Sequence, residues 1–295
     1  MHRNTIKKTH LQKKTMNTIA QQLLTGERAL FQAKDLTIDN CVFEDGESPL
    51  KESRNITVND SVFRWKYPLW YSENSTVRNC LFDFDAHAAF WYSNHMTFTD
   101  CTIQAPKEFR RNHDVTITNT SFTNAEETLW NCEDVTLDHV SANGDYFAMN
   151  SRNITISDFQ LTGNYCFDGC RDLVIDHARL LSKDAFWNCE NVTVRNSFIS
   201  GEYLAWNTKN ITFENCTIES LQGLCYIDGL TMRDCRVINT TRAFEYCSNI
   251  DAQITTRVDG IVNPISGTIR ATNFGDVVQN DPAIDTANVH LISEQ

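Results

Sequence analysis

A short phrase returns along this chain at steps of 19 to 21 residues: Asn or Asp, then apolar–Thr–apolar. Asn55-Ile56-Thr57-Val58, Asp114-Val115-Thr116-Ile117, Asn153-Ile154-Thr155-Ile156 and Asn191-Val192-Thr193-Val194 are copies, and the series runs from Asp35 to Asn249. Self-similarity at this period marks a solenoid, in which each repeat can bury its apolar face only against its neighbours. β-Branched residues alternating with outward ones mark strands. The expected fold is all-β: a single-stranded right-handed parallel β-helix of about twelve coils, the hand following from the preferred crossover of parallel strands. Its expected units are a basic extension (1–15), an N-terminal cap (16–34), the β-helix (35–280) and a polar tail (281–295).

Charge narrows the partners. Residues 1–15 carry five basic and no acidic side chains, so the net charge of −12 leaves −17 on the rest of the chain. Such a body repels phosphate backbones, and nucleic acid is not an expected partner. The basic head has no apolar run of the secretory kind, and Met16 is a candidate start. No stretch approaches the roughly 18 apolar residues of a membrane span.

Eleven cysteines suggest a disulfide framework until they are laid on the repeat. Cys41, Cys80, Cys101, Cys216 and Cys235 then share a column with Ser61, Thr120, Ala178 and Ser197. Cys132, Cys170, Cys189 and Cys247 share another with Ser53, Ser72, Ser93, Ser151 and Thr208. Exchange with small residues predicts buried free thiols and a cytoplasmic setting, and Cys166-x3-Cys170 is a weaker metal signal. No metal or cofactor is expected.

Each coil reads as three short strands. The first carries the outward Thr and ends on an Asn/Asp column, such as Asn40, Asp60, Asn79 and Asp100, in which His139 and His177 also stand. Asn and Asp tolerate left-handed backbone, so both histidines read as turn residues. The third strand has an apolar inward position from Leu50 to Phe244. One residue later stand Lys51, Trp70, Trp91, Arg110, Trp130, Met149, Asp168, Trp187, Trp206, Cys225 and Glu245, a column open to charge and therefore to water. It holds five of the six tryptophans.

Coils of this length with an Asn ladder resemble the right-handed β-helices of pectate lyases and polygalacturonases. The segments Gly26-Glu27-Arg28-Ala29-Leu30, Glu47-Ser48-Pro49-Leu50-Lys51-Glu52, Tyr67-Pro68-Leu69-Trp70, Asp184-Ala185-Phe186-Trp187, Gly201-Glu202-Tyr203-Leu204, Arg242-Ala243-Phe244-Glu245-Tyr246 and Asn263-Pro264-Ile265-Ser266-Gly267 resemble the family of domain of unknown function 3737, from about Met16 to about Asp281. That resemblance implies the β-helix fold and a bacterial cytoplasmic setting. It supplies no catalytic residues. The Asn-Thr-Asp, Gly-Asp-Asp and Gly-His-Gly segments of polygalacturonase-like enzymes do not occur, and Val174-Ile175-Asp176-His177, faintly similar to a pectate lyase signature, is what the Asn/Asp column generates anyway.

The tryptophan column is the candidate binding face. Trp91, Arg110, Trp130, Trp187 and Trp206 would line a platform for a saccharide or another flat ligand, since exposed aromatic patches mark binding. Glu126, Asp145 and Asp168 are the candidate catalytic carboxylates beside it, Glu126 and Asp145 being expected one strand spacing apart, where each raises the pKa of the other. The competing reading has the indoles stacking on each other and shielding the strand, with Arg110 over a ring. Three functions follow: a carbohydrate-binding β-helix, a glycoside hydrolase or polysaccharide lyase, and a protein-interaction scaffold. The oligomeric state is open, a dimer included.

Overall fold

The computed structural model describes residues 17–294; the basic extension expected over 1–15 lies outside them. Among the described residues there is no α-helix, only a single 3-10 turn at Thr286–Asn288, and no helix is long and apolar enough to cross a membrane. Every strand pairing is parallel. The first strands stack residue on residue, Thr37 on Thr57, Thr76, Thr97 and Thr116, then Thr136, Thr155 and Val174. The chain is thus a parallel β-solenoid, as the period predicts.

Among the described residues it has fifteen coils rather than twelve, because the ladder runs past both ends of the repeat. Asn17–Ala20 pairs with Leu36 to Asp39 and Leu23–Thr25 with Val42 to Glu44, so the segment before Asp35 already forms a coil. At the other end Gly267–Ala271 pairs with Ser248–Ile254, and Val289–Ser293 pairs with Gly267–Ala271. The phrase fades there while its geometry continues. Val258–Val262 and Phe274–Val278 form a separate two-stranded sheet.

The bend between first and second strands is a single left-handed residue, from Asn40 (φ 50°) through Asp158 (49°) to Asp234 (52°). Side chains there bond across coils, as Asn79 Nδ2 donates to Asp60 Oδ1 (2.6 Å) and Asn215 Nδ2 to Asn196 Oδ1 (2.8 Å). In Glu133–Asn143, Arg152–Thr162 and Arg171–Leu181 the two strands run on through that residue, giving three consecutive long, bent rungs.

The expected third strand is not extended. From Phe109 onward φ is positive at the inward residue and again two residues later, as at Ala148 (61°) and Asn150 (54°), even at bulky Phe109 and Leu129. The inward Leu50, Leu69 and Phe90 of the first coils are not left-handed. Left-handed backbone costs an L-residue about 1 kcal/mol or more, so something must hold it. Stacked hydrogen bonds do. The second cysteine column donates to carbonyls of the preceding coil's left-handed segment: Ser151 Oγ to Leu129 O (2.7 Å), Cys170 Sγ to Ala148 O (2.7 Å) and Cys189 Sγ to Phe167 O (2.9 Å). That column mostly holds a small side chain with a donor, and Asn112 fills it too, bonding Ser93 O at 2.5 Å, with the buried Ile227 the exception.

The direction of backbone bonding reverses along this segment. Leu69 N donates forward to Ala89 O, whereas Ala148 N donates backward to Thr128 O. At the changeover the Ala89 N–H is taken by the carboxyl of Glu108 (2.7 Å), and the Glu108 N–H by Thr128 Oγ1 (3.4 Å). Glu108 is fully buried, and burial pushes its carboxyl well above the usual carboxylate range. A protonated carboxyl avoids the large cost of a buried charge.

All eleven cysteines are buried free thiols. Burial pushes Cys101 up to about 11 and Cys80 and Cys132 up to about 12. Since the thiolate is the nucleophile, the folded protein is expected to resist a thiol reagent at mildly alkaline pH and to expose all eleven thiols in denaturant. Rapid native-state labelling of Cys41, Cys80, Cys101, Cys216 or Cys235 would overturn the stacked-column reading.

Candidate ligand-binding face

The inward residues of the left-handed segment, from Leu50 to Phe244, are all buried, which turns the next residue outward. Trp70, Trp91, Arg110, Trp130, Met149, Asp168, Trp187 and Trp206 are half-buried. The column departs from its expected exposure at its C-terminal end. Cys225 is fully buried, and Glu245 is 8% exposed, with Gln222 (2.6 Å) and Arg242 (2.7 Å) donating to its carboxylate.

The indoles lie against one another along the axis. Trp70 and Trp91 stack with centroids 5.5 Å apart and planes 9° from parallel. The Arg110 guanidinium is sandwiched 4.5 Å from Trp91 and 4.5 Å from Trp130. Farther along, Trp187 packs on Trp206 (5.9 Å, 35°) and Trp206 on Tyr226 (4.3 Å). Indole nitrogens are tied down as well, Trp91 Nε1 donating to Lys107 O (2.6 Å), Trp130 Nε1 to Tyr146 O (2.7 Å) and Trp187 Nε1 to Tyr203 O (2.7 Å). Stacked rings present edges to solvent, so this is no continuous open platform.

The stack breaks once between tryptophans. Trp130 and Trp187 stand three coils apart, about 14 Å at the strand spacing. The two rungs between them hold Met149 and Asp168. Beside the break Tyr146 and Tyr165 stack at 4.9 Å, and the Tyr165 ring meets Trp187 edge-on at 5.9 Å.

Among the candidate carboxylates, Asp145 Oδ1 accepts the Asn164 N–H at 2.7 Å, and Asn164 Oδ1 accepts the Lys183 N–H at 3.2 Å. This polar column therefore caps the backbone of successive coils. Asp168 Oδ1 accepts Asn188 Nδ2 (2.9 Å), and Asn188 passes the pattern to Asn207 (2.9 Å). Glu126 is exposed. Arg110 already has a counter-ion in Glu127, at 2.8 Å.

A second feature lies on the bend of the three long strands. A groove of about 830 Å³ there is lined by His139, Asp158, His177, Asn196, Arg179 and Phe198 among others. Both histidines occupy the left-handed turn column as expected (φ 51° and 53°). Their side chains also face the groove, backed by Asp138 and Asp176 at 3.1 Å each. The signal in the sequence was Asp-His recurring two coils apart in a column otherwise of Asn and Asp.

In fold the chain is similar to a double mutant of the tailspike protein of E. coli bacteriophage HK620 (TM-score 0.43, 11% identity, 92% of this chain covered). It spans 65% of that protein's chain. It is similar also to the surface protein and adhesin PfbA of Streptococcus pneumoniae (0.39, 9%, 94% of this chain and 91% of that one). The mannuronan C-5 epimerase AlgE4 A-module of Azotobacter vinelandii gives 0.26, 10%, 95% and 91%. Likeness at this depth concerns the course of the backbone alone. No curated protein sequence matches. The family model described as "Protein of unknown function (DUF3737)" matches residues 17–292, nearly the whole described solenoid, and the chain belongs to that family.

Proposed function

We propose that the protein binds a saccharide at the break in its aromatic stack, between Trp130 and Trp187. One observation carries this reading: the rings of the column stack on another ring or on Arg110 along most of its length, whereas at Met149 and Asp168 the stack is interrupted, and Trp187 meets only the Tyr165 ring there, at a near-right angle. A pyranose ring placed against an indole face buries its C–H surface there. Asp168 accepts one hydrogen bond from Asn188, and a carboxylate has about four acceptor sites, which leaves capacity for sugar hydroxyls. Trp91, Arg110 and Trp206 then act as the buttress that fixes the two walls, and Glu126 and Asp145 flank the ligand as polar contacts. The reading is one of binding, and no reaction is assigned to these carboxylates.

Intrinsic tryptophan fluorescence, titrated with neutral and uronic oligosaccharides, tests it. Stacking on an aromatic is worth about 0.5–1.5 kcal/mol beyond buried area, so Trp130→Ala is expected to weaken binding roughly 2- to 12-fold. Asp168→Asn should weaken it as well. Trp70→Ala, at the far end of the stack, should change it little. No binding of any glycan by the wild type would remove the carbohydrate role, and equal losses in Trp70→Ala and Trp130→Ala would remove the site. Burial of this face between two copies would favour the interaction-scaffold reading instead.

A further inference from the structure

We propose that His139 and Asp158, with Asp138 behind them, form a divalent transition-metal site opening onto the groove of the three long strands. The site is independent of the saccharide reading and uses different residues.

The geometry suggests an ion held between two ligands. Asp138 Oδ1 stands 3.1 Å from His139 Nδ1, which turns His139 Nε2 toward Asp158 on the next coil. There Nε2 and Asp158 Oδ2 are 3.8 Å apart, too far for a hydrogen bond. A nitrogen and an oxygen each about 2.1 Å from a zinc ion in tetrahedral array stand about 3.4 Å apart, a separation that two exposed side chains reach with a small adjustment. Ligand atoms of Asp138, His139 and Asp158 all lie within 4.8 Å of one another.

Asp138 is itself supported, accepting Ser157 Oγ at 2.5 Å. A carboxylate on the far nitrogen of a metal-binding imidazole fixes its tautomer and raises its basicity, and Asp138 stands in that position. The remaining coordination positions would face the groove of about 830 Å³, free for water or an anionic group of a ligand.

Comparable groups elsewhere are already satisfied. His113, Glu133 and Asp134 also lie close together, but Arg152 holds Glu133 at 2.6 Å. Asp134 accepts from Asn153 at 3.0 Å and faces His113 Nδ1 directly at 3.2 Å. His177 repeats the Asp-backed arrangement, but the next coil offers Asn196 in place of a carboxylate. His95 also stands between two carboxylates, but its Nδ1 meets Asp114 directly at 2.7 Å and its Nε2 lies 3.4 Å from Glu73. Among the described residues, His139 differs in that its second nitrogen faces the next coil's aspartate across a gap of 3.8 Å.

The test is calorimetric titration of the chelator-treated full chain with zinc chloride under reducing conditions. Asn occupies the same turn column at Asn119 and Asn196, so His139→Asn, Asp158→Asn and His177→Asn retain the turn. One zinc per chain is expected. His139→Asn and Asp158→Asn should each weaken it at least tenfold, and Asp138→Asn roughly 10- to 100-fold, as loss of the carboxylate behind a metal-binding imidazole does. His177→Asn and His113→Asn should stay within about twofold of wild type on the same scale. No saturable binding would overturn the proposal. Affinity unchanged in His139→Asn or Asp158→Asn would do so too, and so would equal loss in His113→Asn or His177→Asn.

Discussion

Phe167→Ala is expected to lower stability by about 3–5 kcal/mol, the range for truncating a buried aromatic. Phe167 is fully buried at mid-solenoid, where its ring stacks on Phe186 at 5.5 Å and 9° and meets the edges of Phe147 (6.1 Å) and Phe159 (6.4 Å). Its backbone is left-handed (φ 65°), and its carbonyl accepts Cys189 Sγ, so relaxation into the void would break the bonds that hold the segment. Collapse around the missing ring is therefore restricted, which puts the cost toward the upper end. In a chain of this size the loss corresponds to a fall in melting temperature of roughly 10 °C, read by circular dichroism. Each coil touches only its neighbours, so the coils of Phe147 and Phe186 should lose amide protection first while the terminal coils keep theirs. A cost below about 1 kcal/mol would show that the core repacks freely, contrary to this account.

The same residue shows what the sequence could and could not disclose. Phe167 stands at an inward position recurring with the repeat, and the structure buries it and its counterparts from Leu50 to Phe244. Periodicity reports which side of the chain meets the core, because burial is repeated coil after coil. It does not report backbone handedness at Phe, Leu or Ala. Left-handed backbone announces itself in sequence through Gly, Asn and Asp, and at Phe109, Leu129 and Ala148 it is imposed by bonds from adjacent coils.

The cysteine columns were half legible for a related reason. Exchange of Cys189 with Ser151 and Thr208 indicated a small side chain, but what most of the column shares is also a donor, which Asn112 supplies at the same position. The tryptophan column was visible as a column. Whether its rings offer faces or edges depends on rotamers, which the stacking of Trp70 on Trp91 and the Nε1 bonds to backbone carbonyls determine. The break at Met149 and Asp168 can be found in the sequence only once that stacking is known. Coil number was undercounted because pairing at Asn17–Ala20 and Val289–Ser293 needs backbone geometry and no Asn-x-Thr phrase.

Gly163→Ala is expected to damage both the fold and the saccharide site, although no side chain is removed from either. A Cβ on Gly163 would stand 2.0 Å from the carbonyl oxygen of Gly144 one coil below, and a Cβ on Gly144 would stand 2.4 Å from the Glu126 nitrogen. These contacts are with backbone, which cannot rotate away, in coils fixed by bonds such as Gly144 N to Thr162 O (2.9 Å) and Gly163 N to Leu181 O (3.0 Å). Overpacking of this kind costs about 1–3 kcal/mol and occasionally more, and the backbone contact sets the expectation near 3 kcal/mol. Two residues beyond each glycine stand Tyr146 and Tyr165, the stacked pair beside the break between Trp130 and Trp187. Moving the Gly163 coil therefore moves one wall relative to the other, and oligosaccharide affinity should fall along with the denaturation midpoint. Gly26 supplies the control: its φ is 92° but a Cβ there meets nothing within 4 Å. Gly26→Ala then carries only the backbone term, about 1 kcal/mol, with binding unchanged. Equal stability losses in the two variants would show that backbone conformation, and not the close approach of coils, is what these glycines provide.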